Sequence, residues 1–148
     1  MRSLTLEQLR PILATRATHF VSLQYDECAD EIKAFGASAG IPIHHWQEAI
    51  DDYDETAALA GALDLVISVC TAVVHLCGAL GRPVWVMAPF VAEWRYGREG
   101  PSMIWYPSVR MFRQHKLDDW SPVMAAVKRA LHAVARGEAP AACMQGNK

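Results

Sequence analysis

Residues Asp64–Trp85 read DLVISVCTAVVHLCGALGRPVW, and no other stretch limits the fold so tightly. Leu65–Val69 is a nearly unbroken apolar run of strand length. A strand without polar alternation must be covered on both of its faces. Thr71–Leu80 follows at once with helical composition and stops at Gly81, with Pro83 just beyond, as helix C-termini do. Val84–Ala88 (VWVMA) then repeats the buried-strand pattern. A strand, a helix and a second strand in that order predict parallel neighbours joined by a right-handed crossover.

The rest of the chain keeps the alternation. Ser3–Ala14 predicts a helix capped by Ser3 or Thr5, with Pro11 near its start or kinking it. His19–Gln24 and Ile41–His45 read as strands around an amphipathic helix, Cys28–Ser38, that ends near Gly36 or Gly40. Trp46–Asp54 reads as a polar, acidic loop, and Glu55–Leu63 as an alanine-rich helix. Pro89–Pro107 reads as a long loop, and Val109–Arg113 as a last strand. The closing helix, Asp119–Ala135, is capped by Asp118 or Asp119 and holds Pro122 in its first turn. The fold class expected is therefore α/β: a Rossmann-like parallel sheet of about five strands with helices on both faces. Residues 1–137 make one domain, and 138–148 a C-terminal tail. Ligands bind such sheets beyond the carboxyl ends of the strands, so the loops after Gln24, His45, Val69 and Ala88 should share one rim.

Composition removes several classes of function. The 148 residues carry a formal net charge of −2, with no basic stripe, which excludes an electrostatic footprint for nucleic acid. No apolar run approaches the ~20 residues of a membrane span. The N-terminus lacks the apolar core of a signal peptide, so a cytoplasmic location is expected. Of the four cysteines, Cys28, Cys70, Cys77 and Cys143, none forms a CxxC pair, and no metal site is expected. Cys70 and Cys77 would stand roughly 10 Å apart on one strand-helix unit, too far for a disulfide. Buried thiols in a reducing compartment are the simpler reading.

The strand-helix junction carries the candidate chemistry. Thr71 is placed to cap the helix, with the first unpaired amides, at Ala72 and Val73, facing the rim. A helix N-terminus attracts anions through those amides and its dipole. His75 lies one turn on, on the same face. A diphosphate could sit where these groups converge. On spacing alone, a Thr71 that only caps and a His75 that is merely buried and satisfied fit equally well. Asp51, Asp52, Asp54 and Glu55 fit a solvated loop with helix-start charges better than a cation site. His44 and His45 are adjacent on a strand, so only one should point inward. The aromatic segment Trp94–Tyr106 suits either sugar stacking or packing on the sheet edge.

The run Glu55–Trp85 resembles bacterial glycosyltransferase family 9, which includes the lipopolysaccharide heptosyltransferases, and above all its members that follow tetratricopeptide repeats. The family junction S-V-D-T-x-x-x-H-L-A-G-A-L-G is matched here by Ser68, Val69, Thr71, His75, Leu76, Gly78, Ala79, Leu80 and Gly81. The resemblance extends back through Phe20–Gln24. It extends forward through Trp94-Arg95, Trp105-Tyr106-Pro107 and Arg110–Gln114, covering roughly Arg2–Ala135. It implies the C-terminal, donor-binding half of a GT-B fold, with a nucleotide-diphosphate sugar as donor substrate and no cofactor or metal. By resemblance, Thr71, the Ala72 amide and His75 contact the diphosphate, and the loop near Asp51–Thr56 lies by base and ribose. Gln24, Trp94 and Arg95 line the cleft near the sugar. The catalytic base is expected in an acceptor domain outside this chain, so the chain alone should be inactive. An acceptor domain or repeat array in a longer protein is the implied partner.

Two departures from that pattern matter. Cys70 stands where the family has Asp, and a thiol accepts hydrogen bonds from sugar hydroxyls poorly. A reactive Cys70 at a helix N-terminus is a further reading, although no base partner is evident. The resemblance also implies a strand ahead of Arg2, central in the order 3-2-1-4-5-6. Without it, the His19–Gln24 and Leu65–Val69 strands must pair directly or leave bare edges, which a rearranged sheet or a homodimer would fill. The competing reading of function is an inactive nucleotide- or protein-binding module.

Overall fold

Each of the five residues of Val84–Ala88 (β4) is buried, and successive side chains enter opposite layers of the core. The computed structural model describes residues 4–140. Val84, Val86 and Ala88 meet Val66, Val74, Cys77, Val109 and Met111 on one face. Trp85 and Met87 meet Ile12, Phe112, Val123, Val127 and Leu131 on the other. Burying each such side chain contributes about 1.5–3 kcal/mol. This two-sided burial is what an apolar strand needs, and it places helices on both faces of the sheet.

The elements run in order through α1 (Leu6–Leu13), β1 (Phe20–Val21), α2 (Ala29–Ala39), β2 (Ile43–His44), α3 (Gln47–Asp51) and α4 (Tyr53–Ala62). Then come β3 (Val66–Val69), α5 (Ala72–Ala79), β4, a 3-10 turn (Trp94–Tyr96), β5 (Val109–Arg113) and α6 (Ser121–Ala135). All strand pairs are parallel, with Val66 opposite Val84 and Val84 opposite Val109. Among the described residues no helix is long and apolar enough to cross a membrane.

The single five-strand sheet expected from sequence is instead two sheets, β1-β2 and β3-β4-β5. β1 and β3 do not pair, yet both sheets feed the same core. Phe20 of β1 packs into the layer that holds Leu65, Ile67 and Val69, and Leu23 joins Cys70 in the other layer. Helix α1 lies against both α6 and α2. The direct pairing considered above does not form among the described residues.

Several local expectations also change. Trp46–Asp54 is not a loop: α3 forms there because Ile50 has a core to enter and Gln47 donates to Asp51 one turn on, at 2.7 Å. Thr5 caps α1 in a reciprocal box with Gln8, whereas Ser3 lies outside the described residues. Pro11 falls within α1, near its end, where the lost hydrogen bond is offset by Ile12 packing against α6. Helix α6 begins at Ser121, not Asp119, because Asp118 takes a left-handed φ of 58° that no helix continues. Asp119 instead accepts from the Ser121 amide at 3.1 Å. Cys143 and most of the 138–148 tail lie outside the described residues.

Candidate functional site

β3 delivers the chain to the rim at Val69, and α5 leaves it from Ala72. Thr71 holds the N-cap position in extended conformation, but its hydroxyl does not cap. It bonds to Ser68 Oγ at 2.9 Å instead. The Ala72 and Val73 amides are therefore left without a side-chain acceptor at the exposed start of α5. The start of α5 is therefore more open than a capped helix start would be.

His75 stands one turn along α5, half-buried between two aromatic rings. Tyr96 lies 5.6 Å away between centroids, and Tyr106 meets the imidazole edge-on at 5.8 Å. The Tyr96 hydroxyl comes within 3.4 Å of both His75 Nε2 and the Thr71 carbonyl oxygen. Tyr106 can approach because Gly78 offers no side chain: a Cβ there would meet Tyr106 Cγ at 2.5 Å. The imidazole is thus positioned by packing, with Nε2 beside the Tyr96 hydroxyl.

Arg113, at the end of β5, completes this side. Its guanidinium donates to the carbonyls of Gly100 at 2.7 Å, Gly97 at 3.2 Å and Tyr96 at 2.5 Å. Gly97 and Gly100 have φ of 64° and 78°, a left-handed backbone that glycine tolerates best, and so the loop can turn these carbonyls inward. Burial pulls the Arg113 guanidinium below its ordinary pKa, and the nearby Cys70 acts in the opposite sense. All three of these acceptors are neutral carbonyls, so the Arg113 charge is not neutralised by them. Neither Arg113 nor Tyr96 was among the site residues expected from sequence. The only signal for Arg113 was its place in the Arg110–Gln114 run.

The other expected residues divide. Trp94 is 72% exposed and packs edge-on against the half-exposed Trp105, with centroids 6.2 Å apart. Arg95 lies 4.8 Å over the Trp94 ring, and its carbonyl accepts from Trp105 Nε1 at 3.1 Å. These rings form an open platform rather than a buried edge. Gln24 is exposed and bonds to Asp26 at 3.1 Å; no hydrogen bond joins it to Thr71, His75 or Arg113 among the described residues. Thr56 is turned into the fold. It is buried, and its hydroxyl reaches the Ala49 carbonyl at 2.8 Å and the Asp52 carbonyl at 2.9 Å, tying α4 to α3. Asp52 caps α4 through the amides of Asp54 and Glu55.

A second polar cluster lies where β1 and β2 end. His45 is half-buried and His44 exposed, as their opposite faces require. His45 Nε2 lies 2.9 Å from Gln47 Oε1 and 3.9 Å from Cys28 Sγ.

No protein-family model matches the chain, and no solved structure matches it. Among curated proteins the chain is similar to Protein FlbA of Caulobacter vibrioides, 40% identical over 125 residues. The match takes in 82% of this chain and 20% of that protein, so the chain spans about a fifth of the length of the relative.

Proposed function

We propose that this chain is the donor-binding half of a glycosyltransferase that moves a sugar from a nucleoside diphosphate to an acceptor hydroxyl. One observation carries the reading: the uncapped start of α5 and the His75 imidazole are joined through the Tyr96 hydroxyl, and the Arg113 guanidinium holds the Tyr96 carbonyl beside them. In the reaction the acceptor oxygen forms a bond to the anomeric carbon as the bond from that carbon to the diphosphate oxygen breaks. The acceptor proton passes to a base outside this chain. The leaving diphosphate gains charge, which in this reading the Ala72 and Val73 amides, with Arg113, stabilise. The Trp94–Trp105 platform offers an apolar surface to the sugar ring. The acceptor side belongs to a further domain.

Calorimetric titration with UDP, ADP and GDP tests this reading. One nucleotide should saturate, and His75→Ala should weaken it by about tenfold, as loss of a hydrogen bond to a charged group does. Absence of saturable binding at millimolar nucleotide would overturn it. A second reading, an inactive nucleotide- or protein-binding module, is favoured by the unpaired edges of β1 and β3.

A further inference from the structure

The connections into β1 and β2 meet at the amino ends of those strands, whereas α5 starts at the carboxyl end of β3. A cavity of about 220 Å³ lies between them, lined by Leu13–Phe20 on one side and Gly40–Pro42 on the other. Thr15 stands in this lining and is only 5% exposed, yet its Oγ1 has no hydrogen-bond partner. A buried hydroxyl of that kind is rare in native proteins, because it has given up water and received nothing in return. The other polar groups of Thr15 are used: its amide donates to the Ile12 carbonyl at 3.0 Å, and its carbonyl accepts from the Thr18 hydroxyl at 2.7 Å. What the turn leaves over is donors. The Arg16, Ala17 and Thr18 amides make no hydrogen bond among the described residues. Ala17 takes a left-handed φ of 59°, a turn form that directs successive amides to one side. Neither Arg16 nor His19 has a carboxylate partner among the described residues, and no Asp or Glu lines the cavity.

We propose that this cavity binds a small tetrahedral oxyanion, a phosphate or a phosphate monoester, with the Thr15 hydroxyl, the Arg16–Thr18 amides and the Arg16 guanidinium as donors. The lining sets the chemical class. It offers a hydroxyl, main-chain amides, a guanidinium and an imidazole, and it offers no carboxylate. Donors exceed acceptors, and positive charge exceeds negative. The whole chain carries a formal net charge of −2, so the local positive balance is not inherited from composition. A carboxylate has two oxygens in one plane, whereas a phosphoryl group spreads three strong acceptor oxygens about a tetrahedron. That geometry suits donors that reach a ligand from several sides, and a guanidinium can meet two of the oxygens at once. Phe20, Ile41 and Pro42 make the remainder of the lining apolar, which strengthens hydrogen bonds formed beside them. Size sets the limit. Pockets for larger organic ligands enclose about 300–1,000 Å³, so this one suits a phosphoryl group with little attached. The proposal does not rest on the donor-binding reading, because Thr71, His75 and Arg113 take no part in this lining.

The test follows backbone amide shifts by NMR while the full chain is titrated with inorganic phosphate and, separately, with methyl phosphate. Ionic strength is held fixed with chloride. The Arg16, Ala17 and Thr18 amides should move along one saturating curve, and the tighter of the two ligands identifies the source, free or esterified. Thr15→Val keeps the side-chain shape and removes the hydroxyl. It should weaken binding at least about tenfold, as loss of one hydrogen bond to a charged group does. Without phosphate its Tm should hold or rise, because an unpaired buried hydroxyl is gone. Arg16→Gln should also weaken binding and flatten its dependence on salt. Saturation that Thr15→Val leaves unchanged would overturn the proposal. So would shifts that never saturate, or that chloride alone reproduces. The Ala72 and Val73 amides report the proposed diphosphate site in the same spectra on their own curve, so failure of one site is distinguished from failure of the other.

Discussion

Replacing Gly78 by alanine tests the seating of Tyr106 against α5, on which the position of His75 depends. The added methyl would stand 2.5 Å from Tyr106 Cγ, 2.6 Å from Cδ2 and 3.0 Å from Cβ. Carbon atoms prefer separations of about 3.5–4.0 Å. Because Cβ is among the atoms met, rotating the ring does not clear the clash, and Tyr106 must back away as a whole. Overpacking of this kind costs about 1–3 kcal/mol. Alanine is a better helix former than glycine by about 0.8–1.0 kcal/mol, which offsets part of the loss. The net destabilisation is up to about 2 kcal/mol. At about 2–4 °C per kcal/mol for a chain of this size, Tm should fall by up to roughly 8 °C. Gly61 in α4 is the control: a Cβ there meets nothing within 4 Å, so Gly61→Ala should raise Tm. Thermal melts followed by circular dichroism read both changes. In a cycle with Tyr106→Ala, the cost of Gly78→Ala should largely vanish, a coupling of at least about 1 kcal/mol. If Gly78→Ala behaves like Gly61→Ala, or adds simply to Tyr106→Ala, then Tyr106 is not seated on α5 and the account of His75 fails.

Two further changes address stability. Thr56→Val removes the hydroxyl that bonds to the Ala49 and Asp52 carbonyls, and should cost about 1–2 kcal/mol, with faster amide exchange in α3 by mass spectrometry. Burial pushes the Cys77 thiol above its ordinary value of 9.0, so the folded state prefers it protonated. That preference is fully present below the ordinary value and is lost as pH rises through the higher folded one. The denaturation midpoint should fall in that alkaline window, less so in Cys77→Ala, and Cys77 should be the last of the described cysteines to be alkylated.

What was legible in the sequence follows what local composition determines. β4 and β5 have the bounds their apolar runs suggest, because strands buried on both faces need no outside information. β1 falls short of His19–Gln24, since a strand extends only as far as its neighbour pairs with it, and β1 has one neighbour, the two-residue β2. α3 was hidden by its acidic composition; its cause is a long-range one, the core that receives Ile50. At the site, Thr71 and His75 could be placed from spacing along one helix. Arg113 and Tyr96 could not, because the bond between them spans 17 residues and depends on how the intervening loop turns. Thr56 misled for the reverse reason. A hydroxyl near a helix start looks available for a ligand until neighbouring carbonyls are found to accept from it.

Under the proposed donor-binding reading, Cys70 acts on Arg113 from the position where the resemblance expects a carboxylate. A carboxylate at position 70, as the resemblance implies, would lie within the reach at which the thiol already acts on the half-buried guanidinium. Cys70→Asp should then create an ion pair at the β3-β5 rim. Arg113 would hold the new carboxyl below the ordinary carboxylate range of about 3.9. The added stability would be present above that value and lost as pH falls through the lowered one. The same carboxylate would compete with an incoming diphosphate. Like charges at the rim repel, and solvent at the open rim reduces the repulsion. Affinity for the nucleoside diphosphate should therefore drop by about tenfold while Tm rises at neutral pH. Titrating the Cys70→Asp chain with the nucleotide and with the corresponding nucleotide sugar separates two roles for this position. Weaker binding of both ligands means that the thiol leaves Arg113 to the diphosphate. Weaker nucleotide binding with restored nucleotide-sugar binding means that a carboxylate here reads sugar hydroxyls. Unchanged affinity for both would sever Arg113 from the site and leave it as the clamp of the Gly97–Gly100 turn alone.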